Sequence, residues 1–159
     1  MATTTTLRHS AVAQGSRELQ IVSFALGEQN YGVEVADVHG IYHGLSVIPN
    51  PDTPPFWEGE VQFAGRRIPV INLRRFAGMA DVPAGMSPRW IVVINSPTGP
   101  VGLLVDRVIE VVRLRASSLE PLDDATLCPV GDYITAAAIH DGGTVLLPDF
   151  TRLLHDAIQ

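Results

Sequence analysis

The chain has no lysine, a single cysteine and only 6% aromatic residues, and nowhere does it carry a long apolar run. Cys128 stands alone, so neither an intramolecular disulfide framework nor a cysteine metal cluster can be built, which suits a reducing cytosol. No stretch approaches the ~20 apolar residues that cross a bilayer, which argues against direct membrane insertion. Residues 1–17, MATTTTLRHSAVAQGSR, lack the apolar centre of a secretory signal and read as a disordered polar leader on a cytoplasmic protein. The 11 basic residues, all arginine, are outnumbered by 17 acids, and the net charge of −6 disfavours nucleic acid as a partner.

What is present is a 46% apolar chain of 159 residues, enough for one domain with a real core. From Leu19 onward, short runs rich in Val and Ile are divided by Gly, Pro, Asn and Asp, the pattern of many short strands. Strands are expected over 20–26, 31–35, 38–42, 59–63 and 67–71, then over 89–95, 101–105, 108–113, 133–139 and 144–147. GEQN (27–30), NSPTGP (95–100) and HDGG (140–143) have the chemistry of hairpin turns. One helix is signalled, over 149–159, with Asp149 as its cap and Phe150, Leu153, Leu154 and Ile158 at helical spacing. Proline-rich loops at 49–55 and 80–88 interrupt the strands, and the second is the expected hinge between halves 18–80 and 89–148 of one domain, 18–159.

YGVEVADVHGI (31–41) can be laid over VGLLVDRVIEV (101–111) at an offset of 70 residues, matching Gly32 with Gly102, Val35 with Val105 and Val38 with Val108. VINLRRF (70–76) similarly matches LPDFTRL (147–153), pairing Asn72 with Asp149 as caps after a strand. Chance similarity among Val-rich strands is the competing explanation. The repeat points to a mainly β fold of two small barrels sharing a core, with few open strand edges. Within GRRIPVINLRR (65–75) both faces of the strand are apolar and only its ends are charged, so it reads as a barrel strand buried on both sides. Pro69 cannot donate to a ladder, which suggests an edge or bulge, and Asn72 should end the strand and start a helical turn.

Chemistry is thinly represented. His39 and His43 would share one face of a helix as metal ligands, but Gly40 and Gly44 in VHGIYHG deny the helix and leave barrel-rim histidines. His140 and His155 lack a nearby carboxylate–cysteine pattern, and Asp123 and Asp124 read as solvated loop charge. Gly142 and Gly143 do not open a helix to cradle phosphate. No catalytic residue, cofactor or metal ligand is assigned, although a ligand-binding or hydrolytic barrel would need a polar cluster around His39, His43 or Asp106. Phe56 and Trp57 are either core or an interface. Arg107, Arg113 and Arg115 alternate with Asp106, Glu110 and Glu120, as on a solvated face or the rim of a contact patch.

Three phrases in order, IVSFALGEQNYGVEVADVHGI (21–41), FWEGEVQFAGRRIPVINLRRFAG (56–78) and IVVINSPTGPVGLLVDRVIEVV (91–112), resemble the CheW-like domains of bacterial chemosensory systems. The likeness runs from about Leu19 to the C-terminal helix. It implies two five-stranded SH3-like barrels sharing a core, with a C-terminal helix. It also implies a non-enzymatic, cofactor-free adaptor that couples the cytoplasmic tip of a chemoreceptor to the regulatory domain of a CheA-type histidine kinase, in flagellar or type IV pilus control. The alternative is a diverged scaffold that recruits a different signalling or motility partner. By resemblance, Val38 and Gly59 lie where changes disturb partner binding. Ala64 stands where the family pattern has a receptor-contacting arginine, a charge that Arg66 or Arg67 is positioned in sequence to replace, and Gly40 stands where it has an acid.

Overall fold

The strand pattern of the sequence is realised almost element for element in the computed structural model, which describes residues 17–80, 90–121 and 133–158, the side chain of Ile158 excepted. The leader before Arg17, most of the expected hinge, Cys128, Asp123 and Asp124 lie outside the described residues. The order is β1 (Glu18–Leu26), β2 (Gln29–Glu34), β3 (Val38–His43), β4 (Trp57–Phe63), β5 (Arg66–Asn72), α1 (Leu73–Phe76), β6 (Trp90–Ser96), β7 (Gly99–Val105), β8 (Arg107–Arg115), β9 (Glu120–Pro121), β10 (Ile134–His140), β11 (Gly143–Pro148) and α2 (Phe150–Ile158). Each of the ten expected strands is there. The two-residue β9 and two 3-10 turns, Val35–Asp37 and Ala116–Ser118, were not legible.

The strands form two sheets, ordered β8-β1-β2-β11-β10-β9 and β3-β6-β7-β5-β4. Halves 18–80 and 89–148 therefore do not coincide with the sheets. After β2 the 3-10 turn carries the chain out of the first sheet, so that β3 pairs with β6, and after β7 the chain crosses back, so that β8 pairs with β1. Each barrel joins the first hairpin of one half to the later strands of the other, β1 and β2 to β8–β11 and β6 and β7 to β3–β5. The two barrels repeat one plan: an antiparallel hairpin (β1–β2, β6–β7), then a hairpin whose second strand runs parallel to the first hairpin (β11 on β2, β5 on β7). Even the irregularities recur, with register shifts at Val38/Gly40 in β3 against a matching shift in β8, and at Trp57/Gly59 in β4 against Ile134/Ala136 in β10.

Packing explains the repeat's glycines. A Cβ at Gly32 would press on Ile21, Val145 and Leu147, and one at Gly102 would sit 2.9 Å from Ile91 and 3.2 Å from Val70. Both mark the place where the parallel strand pair comes close enough to fill the space a side chain would need. The larger core joins both sheets and both helices through Phe24, Tyr31, Ile71, Val92, Leu103 and Leu154, and a smaller one fills the second barrel with Val61, Ile68, Val70, Ile91 and Val93. β5 supplies both: Ile68 and Val70 face the small core, Ile71 the large one, which is why GRRIPVINLRR shows no polar alternation. Pro69 lies neither at the sheet edge nor at a bulge; it pairs with Glu60 of β4 and precedes the ladder to β7, which starts at Val70, so its missing N–H is tolerated in an interior strand. Asn72 accepts a hydrogen bond from the Arg75 N–H at 3.3 Å, and Asp149 one from the Arg152 N–H at 3.1 Å, so both helices start on the caps expected.

Candidate interaction surface

The expected contact residues cluster on the second barrel, and its β4–β5 hairpin determines how they are shown. Phe63 pairs with Arg66, leaving Ala64 and Gly65 as a two-residue turn with φ of 51° and 76°. β10 and β11 meet through an equivalent turn, Asp141 and Gly142, also with φ of 51° and 76°. Such turns favour Asn-Gly or Asp-Gly, so Asp141 is a natural occupant and Ala64 a strained one. Ala64, Arg66 and Arg67 are all exposed at this tip. Arg67 lies 3.9 Å from Glu60 with 72% of its side chain exposed, and Arg66 makes no ion pair among the described residues.

Val38 and Gly59 are of a different kind. Val38 opens β3 opposite Ile94 and is half-buried against the larger core, so it fixes where β3 sits. Gly59 is buried with φ of 142°, and a Cβ there would lie 2.7 Å from the Ile48 carbonyl carbon. Over that glycine runs a strap from the loop after β3: Ile48 and Glu60 exchange backbone hydrogen bonds of 2.8 and 2.9 Å. A ring contact of 4.7 Å between Tyr42 of β3 and Phe63 of β4 closes the barrel next to it. At Gly40 the Tyr42 ring edge lies over the space a side chain would take.

Three large apolar side chains stay exposed along this seam, Ile41 on β3, Ile48 in the strap and Phe63 on β4. The first barrel has Ile109 and Val111 on β8 and Ile139 on β10. Tyr42 sits opposite Ile91 as Val112 sits opposite Ile21, so by register Ile41 and Val111 are counterparts, and each is exposed on the third strand of its barrel. These outward apolar residues were missed in the sequence, where doublets such as Val111-Val112 give no sign of which face is covered.

The other candidates do not converge on a reaction centre. His43 stacks on Trp90 at 4.4 Å between ring centres, and His39 is exposed. Asp106 is held by Arg74 through two hydrogen bonds of 2.7 Å and by the Gly27 N–H at 2.6 Å, tying α1 to the turns of both sheets. Burial pushes its carboxyl up, but the Arg74 and Gly27 hydrogen bonds and the charges of Arg74 and Arg107 outweigh this and hold its pKa below the ordinary value. Such an acid is a structural anion. Trp57 and Phe56 are packed against the larger core, Trp57 donating its indole N–H to the Ala157 carbonyl at 3.4 Å. A groove of about 430 Å³ lies between the β6–β7 turn and α2, lined by Pro97, Thr98, Asp149, Arg152, Leu154 and His155 among others.

With two exchanged barrels and a shared core in place, the family model described as the CheW-like domain matches residues 20–157. The chain belongs to the CheW-like domain family. It is 30% identical to the chemotaxis protein CheW of Thermotoga maritima over 109 residues, 69% of this chain and 71% of that one. It is 26% identical to the chemotaxis protein CheW of Klebsiella aerogenes over 154 residues (97% and 89%), and 28% identical to the protein FrzA of Myxococcus xanthus over 156 residues (92% of each). The crystal structure of the scaffolding protein TtCheW from Thermoanaerobacter tengcongensis superposes with a TM-score of 0.78 at 28% identity, covering 86% of this chain and 92% of that one. CheW-like proteins are a scaffold and adaptor family, not an enzymatic one. Among the described residues no helix is long and apolar enough to cross a membrane.

Proposed function

We propose that this CheW-like protein is a chemosensory adaptor that couples a chemoreceptor's cytoplasmic tip to the regulatory domain of a CheA-type kinase within an array on the cytoplasmic side of the membrane. The observation that carries this reading is the pair of equivalent seams, each with an exposed branched side chain on its third strand, Ile41 at 37% and Val111 at 55% exposure. Two such surfaces on one rigid core suit a protein that holds two partners at once. Their charge differs: the second barrel's tip carries Arg66 and Arg67, the first barrel's Glu110 and Asp141, which favours distinct partners at the two ends. In this reading Ala64, Arg66 and Arg67 meet a partner directly, whereas Val38 and Gly59 act by holding β3 and the strap in place. Gly40 and Ala64, at positions charged in the family pattern, favour a second reading, a scaffold for a different signalling or motility partner.

Sedimentation of the protein with the kinase encoded nearest to its gene and a fragment of the neighbouring receptor tests the proposal. A ternary complex is expected, with Ile41→Glu and Arg66→Glu each weakening it by about tenfold or more while leaving the melting temperature nearly unchanged. Absence of binding to both partners at tens of micromolar sinks the coupling function and leaves the second reading.

A further inference from the structure

Where the second barrel closes on the Tyr42–Phe63 ring pair, the first barrel places three polar side chains. His140 is the counterpart of Phe63 at the hairpin tip, Glu110 that of Gly40 on the third strand, and Asp141 begins the turn. The His140 Nε2 is 3.4 Å from a Glu110 carboxylate oxygen and 3.4 Å from one of Asp141, and the three donor atoms all lie within 4.8 Å of one another. Asp141 was at hand in the sequence; Glu110, 30 residues before His140, is brought up where β8 closes the same barrel as β10.

We propose that Glu110, His140 and Asp141 form a binding site for a divalent transition cation of the zinc class, which clips the β10–β11 hairpin to β8. Spacing is the first argument. A tetrahedral ion with bonds near 2.0–2.1 Å needs its ligands about 3.3 Å apart, so both histidine–carboxylate separations already fit, and rotation of one exposed carboxylate closes the third. Charge is the second. Glu34, Glu58, Glu60 and Asp106 each face an arginine, whereas Glu110 and Asp141 face no arginine among the described residues and meet only this histidine. With a neutral imidazole two negative charges share the site, and a dication relieves their repulsion. Ligand type is the third, because an imidazole selects zinc, nickel, cobalt or copper over magnesium or calcium, and three protein ligands leave a position for water. The turn helps as well: Asp tolerates φ of 51°, so Asp141 is held beside His140 without strain. A metal here would do by coordination what the ring pair does by packing.

The test uses the full chain without an affinity tag, titrated with zinc and, for its visible spectrum, with cobalt. One ion per chain is expected by calorimetry, and free zinc at about 100 times the dissociation constant should raise the melting temperature by about 5–10 °C. That rise should vanish in His140→Phe, which installs the other barrel's residue, and in Glu110→Gln, which keeps the side chain's shape. It should persist in His39→Ala and His155→Ala, and magnesium should not produce it. Comparing each variant with and without metal removes any effect of the substitution on folding itself. No zinc-dependent rise in the native chain overturns the site, as does a rise that survives in His140→Phe.

Discussion

The two hairpin tips share a backbone and differ in chemistry. Ala64-Gly65 and Asp141-Gly142 turn through the same angles, yet one is followed by Arg66 and flanked by Phe63 and Tyr42, the other is flanked by His140 and Glu110. The same holds for the strands that cross beside them: Ile48 makes an isolated bridge to Glu60 of β4, and in the first barrel β9 pairs with Ala136 and Ala137 of β10. A repeated fold therefore constrains where chain segments run and leaves free what each end presents. That freedom lets one small protein carry chemically different ends on one repeated frame.

The comparison breaks most severely at Gly59, whose counterpart by register is Ala136. Were the barrels interchangeable, Gly59→Ala would be harmless. The Ile48 carbonyl and the φ of 142° make it costly, and a loss of about 2–4 kcal/mol is expected in urea or thermal unfolding. Wild-type stability would mean that the strap is loose.

A smaller effect is expected at the Arg74–Asp106 pair, which has no equivalent beside α2. Asp106→Ala should cost about 2 kcal/mol near neutral pH, since it removes a bidentate contact and leaves Arg74 only 19% exposed. The pKa of Asp106 is lowered on folding, so its contribution is fully present above the ordinary carboxylate pKa of 3.8 and is lost as pH falls through the lower folded value. Unfolding curves of the two proteins should converge only in acid. A gap that instead closed as pH rose toward neutrality would have the wrong sign for this pair.

The smallest effect sharpens the comparison. Ala64→Asn creates the favoured Asn-Gly turn and should add about 0.5–1 kcal/mol, a rise of roughly 2–3 °C in melting temperature. Asp141→Ala should lose a similar amount in metal-free buffer. No change in either would show that turn strain is absorbed elsewhere in the hairpins.

Much of the fold was legible because its causes are local. Val- and Ile-rich runs between turn residues marked the strands, and Asn72 and Asp149 marked both helix starts, since cap and turn chemistry acts over three or four residues. The candidate contact residues were legible only through resemblance to a family, and then unevenly. Val38 and Gly59 look alike as candidate contact residues in sequence, but both are at least half-buried beside β3 and the strap, while Ile41, Phe63 and Val111 are exposed among the described residues.

The sequence by itself determined the strands, the caps, the twofold repeat and the burial of GRRIPVINLRR on both faces, because hydrophobic spacing and backbone chemistry are written residue by residue. Tertiary structure alone decided that each half divides between the barrels, β1 and β2 joining β8–β11 while β6 and β7 join β3–β5. That exchange fuses the two halves into one core. Its cause is long-range: after each hairpin the next strand has two barrels within reach, and the choice between them depends on pairing with residues about 50 positions away for β3 and about 90 for β8, which no local pattern records.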